Sequence, residues 1–122
     1  MGASAWASLP LEVLDTSDFA ETRLNRPGRY VVCFAAAWCP ITRRFLPKFV
    51  AERARLPATL AIADITDTDS RLWDTFRIAI TPSIVVFEHG EVVFRVNGRR
   101  FLGIGDAALR KLEKRLGPPL PS

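Results

Sequence analysis

Apolar runs alternate with helically spaced segments along this chain, and the alternation predicts its elements. Leu11-Glu12-Val13-Leu14 reads as a short strand. Asp15-Thr16-Ser17-Asp18 is rich in capping residues, so a helix is expected to start there and run through Phe19 and Leu24, stopped by Asn25-Arg26-Pro27-Gly28. Tyr30 to Ala36 is apolar throughout, the mark of a strand covered on both faces. Phe45, Leu46, Phe49, Val50 and Leu56 then recur at helical spacing from Arg43 to Arg55. Pro47 falls inside this helix, where it removes one hydrogen bond and bends the axis. Leu60 to Ile65 is a second buried strand, and Asp67 or Asp69 caps a helix bearing Leu72, Trp73 and Phe76. Ile84 to Phe87 and Val92 to Val96 flank Glu88-His89-Gly90-Glu91 as an antiparallel hairpin, closed by Asn97-Gly98. After Gly105-Asp106, the residues Ala108, Leu109, Leu112 and Leu116 make an amphipathic last helix, ended by Gly117-Pro118-Pro119.

The resulting order is β-α-β-α-β-α-β-β-α. It predicts an α/β domain with a central mixed sheet, parallel in its first part and ending in a hairpin, with helices on both faces. Residues 1–10 mix small residues with Trp6 and Pro10 and are expected to form an N-terminal arm, loosely held. Residues 11–117 make the domain and 118–122 a C-terminal tail.

At 122 residues the chain suits one compact domain. It has no apolar run of about eighteen residues, so no membrane partner is expected. Met1-Gly2-Ala3-Ser4-Ala5-Trp6 lacks a basic start followed by an apolar core and does not read as a signal peptide. Two cysteines do not make a disulfide framework, and a cytoplasmic location is expected. The net charge of +4 comes from basic residues spread over Arg43-Arg44, Arg53 and Arg55, Arg99-Arg100 and the stretch Arg110 to Arg115. There is no dense tract and no nucleic-acid motif, so no nucleic-acid partner is expected; the charge supports a weak preference for acidic partners.

The candidate chemistry sits at Trp38-Cys39-Pro40-Ile41-Thr42, where the apolar strand passes into a helix. Unpaired backbone N–H groups and the positive end of the helix dipole favour a thiolate at such a place. Pro40 fits the first helical position, where its missing N–H is not felt. By position alone Cys39 is equally a small apolar residue or a reactive thiol. Thr42, one helical turn on, either caps that turn or donates its hydroxyl to the Cys39 sulfur. Cys33 lies within the strand with its side chain directed to the core, where free cysteines are commonly inert. His89 stands alone in a turn and the cysteines lack Cys-x-x-Cys spacing, so no metal site is expected.

This order of elements, with Trp38-Cys39 at the second strand–helix junction, Pro47 inside the following helix, Thr81-Pro82 before a strand, and Gly90 and Gly98 around the hairpin, resembles the thioredoxin family from about Leu11 to Leu116. The resemblance implies a thioredoxin-like fold and a cis bond at Pro82. It implies that Trp38, Pro40, Ile41, Thr81, Pro82 and Gly98 line a groove in which the Thr81 backbone pairs with an extended peptide segment. Most X–Pro bonds are trans, so the residues alone leave the isomer at Pro82 open. The chain departs from the family at several places. Thr42 stands where a second cysteine is expected, Cys33 replaces a buried aspartate, no lysine lies between Leu56 and Asp64 to partner one, and Ala35 replaces a tryptophan.

The resemblance implies thiol–disulfide exchange, here by a single nucleophilic cysteine, Cys39, with Thr42 assisting. A captured partner would be released by an outside thiol, such as glutathione acting as co-substrate; no bound cofactor is implied. The site is an incomplete version of the oxidoreductase one. Its partners would be protein or small-molecule thiols and disulfides. The alternative is a redox-inactive module that keeps the groove for peptide binding, assembly or chaperoning. Peroxide reduction ranks behind both, because the peroxidase Thr-x-x-Cys order is absent. No oligomeric state is legible.

Overall fold

The computed structural model describes residues 6–119. Strands β1 (Glu12–Leu14), β4 (Arg29–Ala35), β5 (Thr59–Asp64), β6 (Ser83–Glu88) and β7 (Glu91–Val96) form one sheet in the order β1-β5-β4-β6-β7. β1 and β4 run parallel to β5, while β6 runs antiparallel to β4 and to β7. The apolar run of β4 makes it the central strand, and its residues alternate between two cores. Val31, Cys33 and Ala35 face helices α1 (Pro40–Ala51) and α3 (Asp106–Leu116), packing with Phe45, Phe49, Leu109 and Leu112. Val32 and Phe34 face the other side, with Phe19, Phe76 and Phe87 and the short helix α2 (Leu72–Thr75). This is the expected α/β fold, with a mixed sheet and helices on both faces.

The expected first helix is not formed. Asp15 accepts the Ser17 N–H at 2.8 Å and Asp18 accepts the Asp15 N–H at 2.9 Å, so the capping residues close on a single 3-10 turn, Thr16–Asp18. Phe19 leaves that turn extended, and β2 (Phe19–Ala20) pairs with β3 (Arg23–Leu24) around Glu21, whose φ is +53°. Tertiary packing decides the matter. As a two-strand corner, this segment places both Phe19 and Leu24 in the core, and the Phe19 ring lies 5.3 Å from Phe76 and 6.0 Å from Phe34. The helix expected after Asp67 is reduced to the single turn of α2, because the Asp67 side chain holds the Asp69 N–H at 2.9 Å and Arg77, with φ +52°, ends it.

The looseness expected of residues 1–10 does not extend to Trp6, which is 2 % exposed and belongs to the core under α1 and α3. Residues 1–5 of that arm and residues 120–122 of the tail lie outside the described residues. Among the described residues no helix is long and apolar enough to cross a membrane.

Two stability predictions follow from this packing. Trp6→Ala removes a buried indole and should cost about 3–5 kcal/mol in urea unfolding, a large share of a small domain's stability. Glu52, after α1, is buried; its Oε2 accepts from Arg55 at 2.9 Å, while Oε1 has no partner. Burial first, and then the neighbouring Glu113 carboxyl, raise its pKa above the ordinary 4.5. The folded state therefore holds this proton when the unfolded state has lost it. That contribution is full below the unfolded value and is lost as pH rises through the folded one. Glu52→Gln should flatten this fall in stability with pH, read as unfolding midpoints from pH 4 upward.

Candidate active site

The parallel pairing of β4 and β5 brings the C-terminal ends of both strands to one edge of the sheet, with Ala35 opposite Asp64. The segment between β4 and α1 is held there by the next residues of the β5 side. Ile65 donates its N–H to the Ala35 carbonyl at 2.9 Å. Thr66 Oγ1 accepts the Ala37 N–H at 3.0 Å and donates to Asp64 at 2.6 Å. The Trp38 indole N–H donates to the Thr66 carbonyl at 2.9 Å, and its ring stacks on Trp73 with centroids 6.2 Å apart. A half-exposed tryptophan is thereby fixed as a wall next to Cys39.

Cys39 is the N-cap of α1, with extended backbone, and Pro40 takes the first helical position. The N–H groups of Ile41 and Thr42 lack intrahelical acceptors at this end and lie toward the sulfur. The Thr81–Pro82 bond is cis, and the Cys39 thiol donates to the Thr81 carbonyl at 3.6 Å. Partial burial opposes ionisation of the thiol. It is outweighed by the Thr81 side chain, by the amide and hydroxyl of Thr42 and by the Ile41 amide, so the Cys39 pKa falls below its ordinary 9.0. Thr42 itself is fully buried, and its Oγ1 makes no well-directed hydrogen bond while the thiol points at Thr81. Once the sulfur is ionised, that hydroxyl proton has an acceptor beside it. Thr42 is thus a latent donor as well as a first-turn residue.

Gly98 and Gly103 close the other side. A Cβ at Gly98 would collide with the Pro82 carbonyl oxygen, and the Gly98 N–H donates to Ser83 Oγ at 2.9 Å. Gly103 has φ +68°, and a Cβ there would meet Ile41 Cγ2 at 2.6 Å and Pro82 Cδ at 3.5 Å. Cys39 thus meets Thr81, Pro82 lies against Gly98 and Gly103, and Ile41 lies against Gly103, with Thr81, Pro82 and Thr42 buried. Cys33 does not belong to that group: it is free, fully buried in register with Ile62 and Ile84, and its pKa is pushed far up by burial. Cys39 is also free.

Several site residues carried no sequence signal. Thr66, Asp64 and Ser83 act through hydrogen bonds that depend on strand register. Trp73 reads as a core residue of its helix, yet it is half-buried and stacks under Trp38. Phe101 and Leu102 are 78 % and 68 % exposed beside Ile41; their one signal was an apolar pair between Arg99-Arg100 and Gly103. Among the described residues no group of three metal-ligating side chains is placed to hold an ion. The surface presents the partly exposed Cys39 thiol beside the side chains of Trp38 and Ile41.

Known proteins resemble this chain in sequence and in fold. The chain is 29 % identical to protein disulfide-isomerase A3 of Gallus gallus over 97 % of its own length, and 31 % identical to the bifunctional thioredoxin reductase/thioredoxin of Mycobacterium leprae over 84 %. It spans only 23 % and 22 % of those two longer proteins. Its fold superposes on thioredoxin f2 of Chlamydomonas reinhardtii with a TM-score of 0.71 at 19 % identity, covering 90 % of this chain and 99 % of that one. The Thioredoxin family model matches residues 10–105, and with a match across most of its length this chain belongs to the thioredoxin family.

Proposed function

We propose that this protein carries out thiol–disulfide exchange through the single thiol of Cys39. The observation that carries this reading is the pairing of an activated, partly exposed Cys39 with a threonine where a second thiol would sit. The Cys39 thiolate attacks one sulfur of a disulfide. A bond forms between Cys39 and that sulfur, the old S–S bond breaks, and the other sulfur leaves with the electron pair as a thiolate. Thr42 has no sulfur with which to reverse this. A second, external thiolate, from glutathione or a partner cysteine, attacks the partner's sulfur in the mixed disulfide and returns Cys39 as the thiolate. The Thr81 backbone, whose carbonyl lies 3.6 Å from the thiol, is on this reading where an extended substrate segment pairs as a short added strand.

Cys33 supports the same division of labour. A buried aspartate in its place could take a proton from a resolving thiol; a neutral, buried thiol cannot. Because there is no resolving thiol to deprotonate, the apolar replacement costs the first step nothing.

Two measurements test this. The rate of Cys39 alkylation by iodoacetamide should inflect below pH 9.0, since the folded-state pKa is depressed. Thr42→Val keeps the shape and removes the donor, so its inflection should move up towards, but not reach, the value of an ordinary thiol, the amides of Ile41 and Thr42 remaining in place. An unmoved inflection assigns Thr42 to capping alone. In insulin reduction without an added monothiol, wild type should turn over poorly and accumulate mixed disulfides. Cys39→Ser should abolish those adducts. Thr42→Cys, by making release intramolecular, should raise turnover roughly tenfold or more. Wild-type turnover equal to that of Thr42→Cys would refute exchange by a single thiol. Failure of Cys39 to form any mixed disulfide would leave the peptide-binding module as the function.

A further inference from the structure

The loop after β7 is built to present two apolar side chains next to the thiol. Arg99 and Gly103 bridge it at the base, with N–H to carbonyl distances of 2.9 and 2.8 Å, and Leu102 donates to Arg99 at 3.0 Å. Phe101 at its tip has φ +67°, a conformation a bulky residue rarely adopts. The result is outward display: Phe101 and Leu102 are the two most exposed large apolar residues described. Gly103 packs the loop directly on Ile41, so its position is fixed relative to Cys39. Between loop and helix lies a trough of about 350 Å³, with Ile41, Phe45 and Ile104 along it and Arg44 and Lys48 on its rim.

Of the two charged residues lining the trough, Lys48 is paired with Asp106 and Arg44 enters no salt bridge. Among the described residues Arg43, Arg44, Arg99 and Arg100 enter no salt bridge, and the Arg100 guanidinium lies 5.9 Å from the Phe101 ring centre. Asp106 is taken up by Lys48 at 3.0 Å. The opposite flank of the site, beyond Trp38 and Trp73, carries Asp67, Asp69 and Asp74 instead. We infer that the trough and the Phe101–Leu102 loop dock an extended protein segment that carries an apolar side chain flanked by acidic residues, seated alongside its reactive sulfur. This rests on the exchange reading above and names the substrate class for it. The apolar side chain fills the space between Phe101 and Ile41, where burial supplies the affinity. The unpaired guanidiniums meet carboxylates on the partner and steer it on to Cys39.

The test uses the full-length protein and peptides with one cysteine, each activated as its mixed disulfide with pyridine-2-thiol. Attack by Cys39 forms the Cys39–peptide disulfide, breaks the peptide–pyridyl one and releases pyridine-2-thione, which is read by absorbance. One peptide places leucine and glutamates beside its cysteine; its partners replace the glutamates with lysine or the leucine with serine. The leucine–glutamate peptide should react at least roughly fivefold faster than either variant at low ionic strength. The gap to the lysine peptide should close near 0.5 M salt, where the Debye length falls to a few ångströms. Phe101→Ala should remove the leucine dependence and Phe101→Leu should restore it. Arg44→Glu combined with Arg100→Glu should invert the charge preference. The neutral small molecule 2,2′-dithiodipyridine, which has no chain to dock, should react equally with wild type and these variants. If it reacts normally and all peptides react alike, the docking surface is refuted and exchange stands; if it too fails to react with Cys39, exchange itself has failed. A single-stranded oligonucleotide that displaces the acidic peptide and binds more tightly would assign the arginines to nucleic acid and overturn the proposal.

Discussion

The structure turns on the register of one strand pair. β4 and β5 run side by side in parallel and end together at Ala35 and Asp64. From that shared edge the chain continues on one side to the N-terminus of α1 and on the other to Thr66. The short hydrogen-bonded sequence Asp64–Thr66–Ala37, with Trp38 held to the Thr66 carbonyl, then sets where Cys39 stands. A slip of one residue would turn Cys33 and Phe34 to the opposite cores and remove Thr66 from reach. Register here is specified on both faces, because each carries its own apolar layer. Placement of the thiol is therefore inherited from the core.

That inheritance explains why the site survives its substitutions. Ionisation of Cys39 relies on the helix start, Thr42 and Thr81, which are local to the edge. Cys33 is one layer down, facing the α1 side between Ile62 and Ile84, and there it acts as a small apolar residue. Replacing a charge at that depth by a thiol removes a costly buried group without disturbing the groove. Replacement of the second thiol by Thr42 keeps a buried donor beside the sulfur and removes only its nucleophilicity. On the proposed exchange by a single thiol, the two departures from the family pattern fit one another, since an acid that serves a resolving thiol has no use where that thiol is absent.

The parts legible in the sequence were those fixed by local chemistry and by burial on both faces. β4, β5, the hairpin of β6 and β7, α1 and α3 all lie where runs of apolar residues or helical spacing placed them. The resemblance carried by their order also put Cys39 near Thr81 and Pro82 near Gly98, and those pairs are in contact. What failed was the segment 15–24. Its capping residues do cap, but only one turn, because Phe19 and Leu24 gain more from entering the aromatic core as strand residues than from a helix whose outer face would be water. Trp6 was misjudged for a related reason: a small-residue, proline-containing stretch gives no periodicity, yet its indole enters the core. Thr66, Trp73 and the display of Phe101 depend on contacts across 28 residues or more, or on one backbone angle, and no local pattern encodes either.

Phe101 also separates two kinds of exposure. Val92 and Val93 are moderately exposed on an edge strand, where scattered apolar residues are ordinary. Phe101 and Leu102 are far more exposed, sit on a loop braced at both ends, and require a backbone angle that a bulky residue rarely adopts. Folding stability does not account for them, since neither side chain is withdrawn from water and the positive φ costs free energy. Through Gly103 the loop packs on Ile41, in the first turn of α1, and on Pro82. The loop thus adds a specific wall to a surface whose reactive atom is set elsewhere. On the proposed docking, selectivity for the partner is carried by loop side chains and reactivity of the thiol by groups at the start of α1 and at Thr81, so the loop can change in sequence without dismantling the thiol's setting.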